Sequence, residues 1–211
     1  MTFNATKAKV FNRGVPPNSF LTELVEWGRK APGDIFAPNP FDDIYGKITY
    51  ELATEVHDTD GSHYTWESAL HRRAAMLEVM RVLAGFESGW DWEEGVDTSK
   101  SVSNTASNAE AGAWQTSYDA RTTAPGLVEM LSRAGIKNGI AFQRKMKEDH
   151  EFAMEFVARL MRKNARHNGP LYKGAERKAT WPRRPKLWSV DESIYPWLSR
   201  AAVAEFETLL A

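Results

Sequence analysis

The chain contains no cysteine, so no disulfide can staple it, and neither a thiolate nucleophile nor a thiolate metal ligand is available. That absence leaves the redox compartment open, because a cysteine-free chain works equally well in cytoplasm or periplasm. No segment approaches the roughly 20 consecutive apolar residues of a membrane-spanning helix. Lys7, Lys9 and Arg13 near the N-terminus precede no apolar stretch, so a Sec signal peptide is not expected. A target outside the cytoplasm would then require synthesis in the cytoplasm and delivery by a non-Sec route, or a signal that lies outside this sequence. GxGxxG and P-loop spacings are missing as well, and strands and helices do not alternate as βαβ units, which disfavours nucleotide-binding α/β folds.

What is present is an ordinary globular composition: 211 residues, 42% hydrophobic and 26% charged. The length suits one sizeable domain spanning 1–211, in which 1–64 form an N-terminal extension packing on a main body over 65–211. The net charge of −1 hides an uneven distribution. Residues 1–136 hold 12 Lys and Arg against 19 Asp and Glu, whereas 137–186 hold 14 against 5. Such a basic region suggests contact with an anionic polymer, against the plainer reading of solvated helix faces. A nucleic-acid partner is not expected, because no recognised motif accompanies the charge.

The periodicity predicts a mainly α fold. Asn18 or Ser19 could cap a first helix with Leu21, Leu24, Val25 and Trp27 on one face, closed by Gly28. The clearest helix covers 66–86, where Leu70, Ala74, Leu77 and Ala84 form a stripe that Met76, Met80 and Leu83 broaden. Arg72, Arg73, Glu78 and Arg81 occupy its remaining arc. Residues 88–112, rich in Gly, Ser, Asn, Asp and Thr, leave room for short strands or a hairpin. Helices resume near Pro125, with Thr122 or Thr123 as cap, and Gly135 closes that element. One long helix is expected from about 140 to 164, ended by Asn168-Gly169-Pro170, and a last short one reaches Leu210 with Ser199 as cap.

Glu87 lies where the buried helix ends, preceded by Phe86 and followed by Trp90 and Trp92. Apolar surroundings and the negative end of a helix dipole both favour a protonated carboxyl, which is what a general acid needs. The run Phe86-Glu87-Ser88-Gly89-Trp90 resembles the E-S-x-x motif of lytic transglycosylases and goose-type lysozymes. Their G-x-M-Q segment is matched by Ala111-Gly112-Ala113-Trp114-Gln115, with Trp114 in place of methionine. Their Y-N-x-G-type turn is echoed by His167-Asn168-Gly169-Pro170-Leu171-Tyr172, with His167 in place of tyrosine. The three elements occur in the family's order and cover about half the chain.

The resemblance implies a lysozyme-like α+β fold, a helical bundle around a cleft with a small hairpin or irregular insert after the glutamate helix. It implies cleavage of the N-acetylmuramic acid–N-acetylglucosamine β-1,4 bond of peptidoglycan with Glu87 as acid. A second carboxylate would decide the reaction: Asp97 and Glu110 rank first and are not separable, Asp119 follows, and Glu93 and Glu94 point to solvent. A lytic transglycosylase would use Glu87 alone, with the substrate's acetamido group assisting. Gln115, Trp114, Tyr118, Asn168 and Tyr172 are candidates for sugar binding, since sugars stack on aromatic faces and bond amides and hydroxyls. Trp90 and Trp92 stand behind them, with core packing as their alternative.

The stretch His57-Asp58-Thr59-Asp60-Gly61-Ser62-His63 has metal-binding residue types but neither HExxH nor EF-hand spacing, so it reads as a turn. No metal or cofactor is expected. Ser88 lies in no G-x-S-x-G elbow. A phage lysin released through a holin or an antibacterial effector with an immunity partner would both fit, and a monomer is expected. The alternative of another class is a glycan-binding module without catalysis.

Overall fold

The computed structural model describes residues 1–10, 12–37, 68–95, 105–163 and 198–211. They are mainly helical: α1 (Asn18–Lys30), α2 (Ala69–Glu87), α3 (Pro125–Arg133), α4 (Gly139–Glu148), α5 (His150–Lys163) and α6 (Arg200–Leu210). The sheet is one antiparallel pair, β1 (Glu110–Ala111) and β2 (Thr116–Ser117), in the register Glu110↔Ser117 and Ala111↔Thr116. Short 3-10 turns occur at Ala5–Lys7, Gly33–Phe36 and Tyr118–Thr123. No helix among the described residues is long and apolar enough to cross a membrane.

The centre of the molecule is α2. Ser68 caps it by accepting the His71 N–H at 3.1 Å, and every residue from Ala74 to Gly85 is buried. A helix covered on all sides needs neighbours on all sides. Helices α1, α5 and α6 and the turn Gly33–Phe36 supply them, α6 with the most extensive contact. The expected polar arc is therefore not a solvent face over the second half of α2. Glu78 and Arg81 are each about 1% exposed and pair at 2.6 and 2.7 Å, beneath Ala8 and Ser199.

The described part of 1–64 joins this same core: Phe20, Leu21, Leu24, Val25 and Trp27 of α1 are all buried. Gly28 does not end α1. It lies inside the helix, where a Cβ would meet Leu77 Cδ1 at 2.8 Å and Leu210 Cδ2 at 3.0 Å, so glycine permits a close approach to α2 and α6. Nor do Asn18 and Ser19 cap it, since Pro17 precedes the helix and no side chain caps it. Arg73 instead serves the other end, donating to the carbonyls of Gly28 and, at 3.0 Å, Arg29.

The long helix expected over 140–164 is broken at Asp149, whose φ −120° and ψ 88° leave the helical region. Its side chain accepts the Phe152 N–H at 3.0 Å and pairs with Lys145 at 2.6 Å. One residue thus caps α5 while its backbone ends α4. Three other helix ends match expectation: α3 begins at Pro125, Gly135 adopts φ +69° after it, and Ser199 caps α6 by accepting the Ala202 N–H. Thr122 and Thr123 are not caps of α3 but bond the carbonyls of Asp119 and Ala120 within their own turn.

Glu205 of α6 anchors the N-terminal segment, accepting the N–H groups of Asn4 at 2.7 Å and Thr6 at 2.6 Å. Burial is the largest influence on its carboxyl and raises its pKa, yet the opposing N–H bonds from Thr6 and Asn4 together hold it below the ordinary value. A lowered carboxylate contributes stability that is present above its unfolded-state pKa and lost as pH falls through the folded one. Glu205→Gln should therefore cost about 1–2 kcal/mol at neutral pH. That difference should shrink towards zero by about pH 3 in paired thermal melts.

Candidate active site

Helix α2 ends by turning back on itself. The N–H groups of Ser88 and Trp90 both return to the Ala84 carbonyl, at 3.0 and 3.2 Å, with Gly89 at φ +68° making the reversal. Trp90 then drops into the core, 5% exposed, and its indole N–H donates to the Arg81 carbonyl at 2.8 Å. Gly85 makes room for that ring, since a Cβ there would lie 2.6 Å from Trp90 Cζ2. This turn leaves Glu87 exposed at the helix end. Among the described residues the apolar enclosure expected from its aromatic neighbours does not form, because Trp90 packs inward instead of around the carboxyl.

Ser88 joins two of the three motif segments. Its hydroxyl donates to the Ala113 carbonyl at 2.8 Å and accepts the Asp91 N–H at 3.0 Å. The turn between β1 and β2, residues 112–115, is thereby held against the C-terminal end of α2. Gly112 is required there twice over: its φ is +74°, and a Cβ would lie 3.1 Å from the Met146 carbonyl oxygen of α4. Its N–H donates to the Glu94 carbonyl at 3.0 Å, tying the hairpin to the loop that follows Glu87.

Trp114, expected as a sugar platform, is 2% exposed. Its Nε1–H donates to the Met80 carbonyl at 2.9 Å, and its ring packs at 5.2 Å on Trp92 and 5.7 Å on Phe20. This ring fills the core, and the tryptophan in place of methionine anchors the hairpin tip on α2. Gln115 stays half-buried with φ +44°, its side-chain amide donating to the Gly112 carbonyl at 3.1 Å. Among the described residues, the non-glycines with positive φ are Trp90 and Gln115, one in each motif. Such backbone strain costs about 1–3 kcal/mol per residue and collects at functional sites.

Glu110 is half-buried on β1, opposite Ser117. Asp119 is paired with Arg121 at 3.1 Å, so its charge is already engaged. Tyr118 is half-buried between the Arg121 guanidinium, 3.8 Å from its ring centre, and Phe142. It lines a cavity of about 330 Å3 with residues of α3 and the chain after it, and neither Glu87 nor Glu110 borders that cavity. Asp97, Asn168 and Tyr172 lie outside the described residues, as does the 57–63 stretch. Among the described residues no group of three metal-ligating side chains occurs.

A further cluster escaped sequence reasoning. Trp92 stacks on His150 with ring centres 3.9 Å apart and planes 7° apart, and His150 Nδ1 bonds the Glu23 carboxylate. Lys147 adds a bond to the Glu93 carbonyl at 2.7 Å. Together α1, α4 and α5 thus clamp the 88–95 loop. The only sequence signal was Trp92 itself, because Glu23 and His150 are 127 positions apart. Several cations of the basic region also turn inward. Arg159 pairs with Asp34 and Glu155, Arg162 caps the Ile35 carbonyl, and Lys145 holds Asp149.

No protein-family model matches the chain, and neither a curated protein nor a solved structure matches it.

Proposed function

We propose that this chain is a lysozyme-like muramidase that cleaves the N-acetylmuramic acid–N-acetylglucosamine β-1,4 bond of peptidoglycan, with Glu87 as the general acid. The observation that carries this reading is the Ser88 hydroxyl bound to the Ala113 carbonyl. It joins the Glu87-Ser88 helix end to the Gly112–Gln115 turn, so two motifs 25 residues apart are packed together.

The roles follow from position. Glu87 is exposed, so the substrate must be able to reach it. A glycan strand lying over the helix end would exclude water from the carboxyl and so favour its protonated form. The leaving oxygen takes the Glu87 proton as the glycosidic bond breaks. A second carboxylate, Glu110 or Asp97, stabilises the developing oxocarbenium ion or positions the attacking water. Gln115 offers a side-chain amide beside the turn, and Tyr118 a half-buried ring one residue beyond β2. An enzyme of this kind would serve as a cell-wall-degrading antibacterial effector or phage lysin.

Digestion of purified sacculi with weighing of the products by mass spectrometry tests this reading. The expected products are muropeptides with a free reducing end. Release of 1,6-anhydro ends would replace hydrolysis by transglycosylation through Glu87 alone. Binding to sacculi without release of any sugar would leave a glycan-binding module and overturn the enzymatic reading.

A further inference from the structure

The 330 Å3 cavity against α3 is separate from Glu87 and has its own chemistry. Its apolar side consists of Leu131 and Ile136, 2% and 7% exposed, with Val128 half exposed at the rim. Tyr118 forms an aromatic wall. The chain reverses at Gly135, whose φ of +69° lets Ile136 return its N–H to the Leu131 carbonyl and brings Lys137 to the same cavity.

Two cations border this apolar space, and among the described residues no carboxylate lines it. Arg121 is held flat over Tyr118, with Nη1 bonded to the Tyr118 carbonyl at 2.9 Å and to Asp119 at 3.1 Å. Among the described residues its Nε and Nη2 make no hydrogen bond, so that edge of the guanidinium fork stays open. Lys137 makes no ion pair among the described residues, unlike Lys145 and Arg159 of the same basic region. Planar donors beside an ammonium suit a carboxylate, and the Leu131, Ile136 and Tyr118 surfaces suit small apolar groups attached to it. The volume lies at the lower end of ligand sites, the size of a dipeptide rather than a sugar chain.

We propose that this cavity binds the C-terminal carboxylate of a short peptide with small apolar side chains. It rests on the muramidase reading only for the source of that peptide, the stem peptides carried by the glycan strand. Holding a stem terminus at Tyr118 would orient the strand beside β2, at a site distinct from the one that protonates it. Asp119 offsets part of the Arg121 charge, so the site is built for weak, salt-sensitive capture that many stems on one polymer reinforce.

The test is titration of the 15N-labelled full chain with N-acetyl-Ala-Ala as free acid, with the same dipeptide as its C-terminal amide, and with inorganic phosphate. The free acid should shift the resonances of residues 118–137, while the amide should not. Lys137→Gln, at an exposed position with no ion pair among the described residues, should weaken the acid at least tenfold, the equivalent of one charge-assisted hydrogen bond. Arg121→Gln should do the same, with Lys137→Gln deciding the matter if that variant loosens the Tyr118–Thr123 turn. Equal binding of acid and amide, phosphate binding as tight as the acid, or shifts confined to other residues would each overturn the proposal. Sacculus digestion by the same samples separates the two readings. Digestion without peptide binding removes this subsite alone, and peptide binding without digestion removes the muramidase reading alone.

Discussion

Replacing Glu87 by glutamine is expected to slow the solubilisation of sacculi by about 100-fold to 10,000-fold, the range a positioned general acid contributes. Glutamine keeps the shape and hydrogen-bonding reach of the side chain but cannot release a proton to the leaving oxygen. Glu87 is the last residue of α2 and is exposed, so the buried stretch Ala74–Gly85 and the Ser88–Ala113 bond should survive the change. Thermal stability should accordingly move by less than about 1 kcal/mol, as surface substitutions generally do. A fall in rate with an unchanged melt assigns the chemistry to the carboxyl. A rate equal to wild type would make Glu87 an ordinary helix terminus and remove the acid from the mechanism.

The exposure of Glu87 makes this experiment more informative than the same substitution at a buried acid. Among the described residues no apolar enclosure forms around its carboxyl, so on the muramidase reading bound glycan would contribute it. The effect should therefore appear in kcat more than in sacculus affinity, because the proton matters only once the strand is seated.

Where the sequence was informative, the signal was local. The span expected over 66–86 differs from Ala69–Glu87 by a few residues because twelve consecutive core positions leave little choice of register. Pro125, Gly135 and Ser199 each fix a helix end through their own backbone or hydroxyl. Where it misled, a distant partner decided the outcome. Trp114 belongs to a turn rich in small residues and reads as a surface aromatic until Met80, 34 positions away, receives its N–H. Asp149 sits inside a stretch whose apolar positions fit one helix only approximately, and its bond to Phe152 shows that it ends one helix and starts the next. Glu78 and Arg81 are three positions apart, as a solvent-facing pair would be, and periodicity cannot show that Ser199 and Ala8 close over them.

That covered pair carries the largest expected loss of stability. Arg81 donates to both Glu78 oxygens and reaches the Ala8 carbonyl at 3.2 Å, while Glu78 Oε1 also accepts the Ser199 N–H at 3.0 Å. Arg81→Met keeps the volume of the stem but strands a carboxylate that is about 1% exposed. Breaking one side of such a pair costs about 3–5 kcal/mol, against a total of about 5–15 kcal/mol for a domain. Burial already raises the Glu78 pKa above its ordinary value even though Arg81 pulls it down, so removing Arg81 must raise it further. A carboxyl raised in the folded state binds its proton more tightly there than when unfolded. Its contribution to stability is therefore greatest at low pH and falls as pH rises through the folded value. The gap between wild type and Arg81→Met in urea unfolding should be widest near neutral pH and narrow by about pH 4. Glu78→Met with Arg81→Met removes both charges and should recover much of the loss, held back by the Ser199 N–H and Ala8 carbonyl left without partners, at about 1–3 kcal/mol each. A single variant within about 1 kcal/mol of wild type, or a gap independent of pH, would mean that the pair is solvated in solution and that α6 does not seal it.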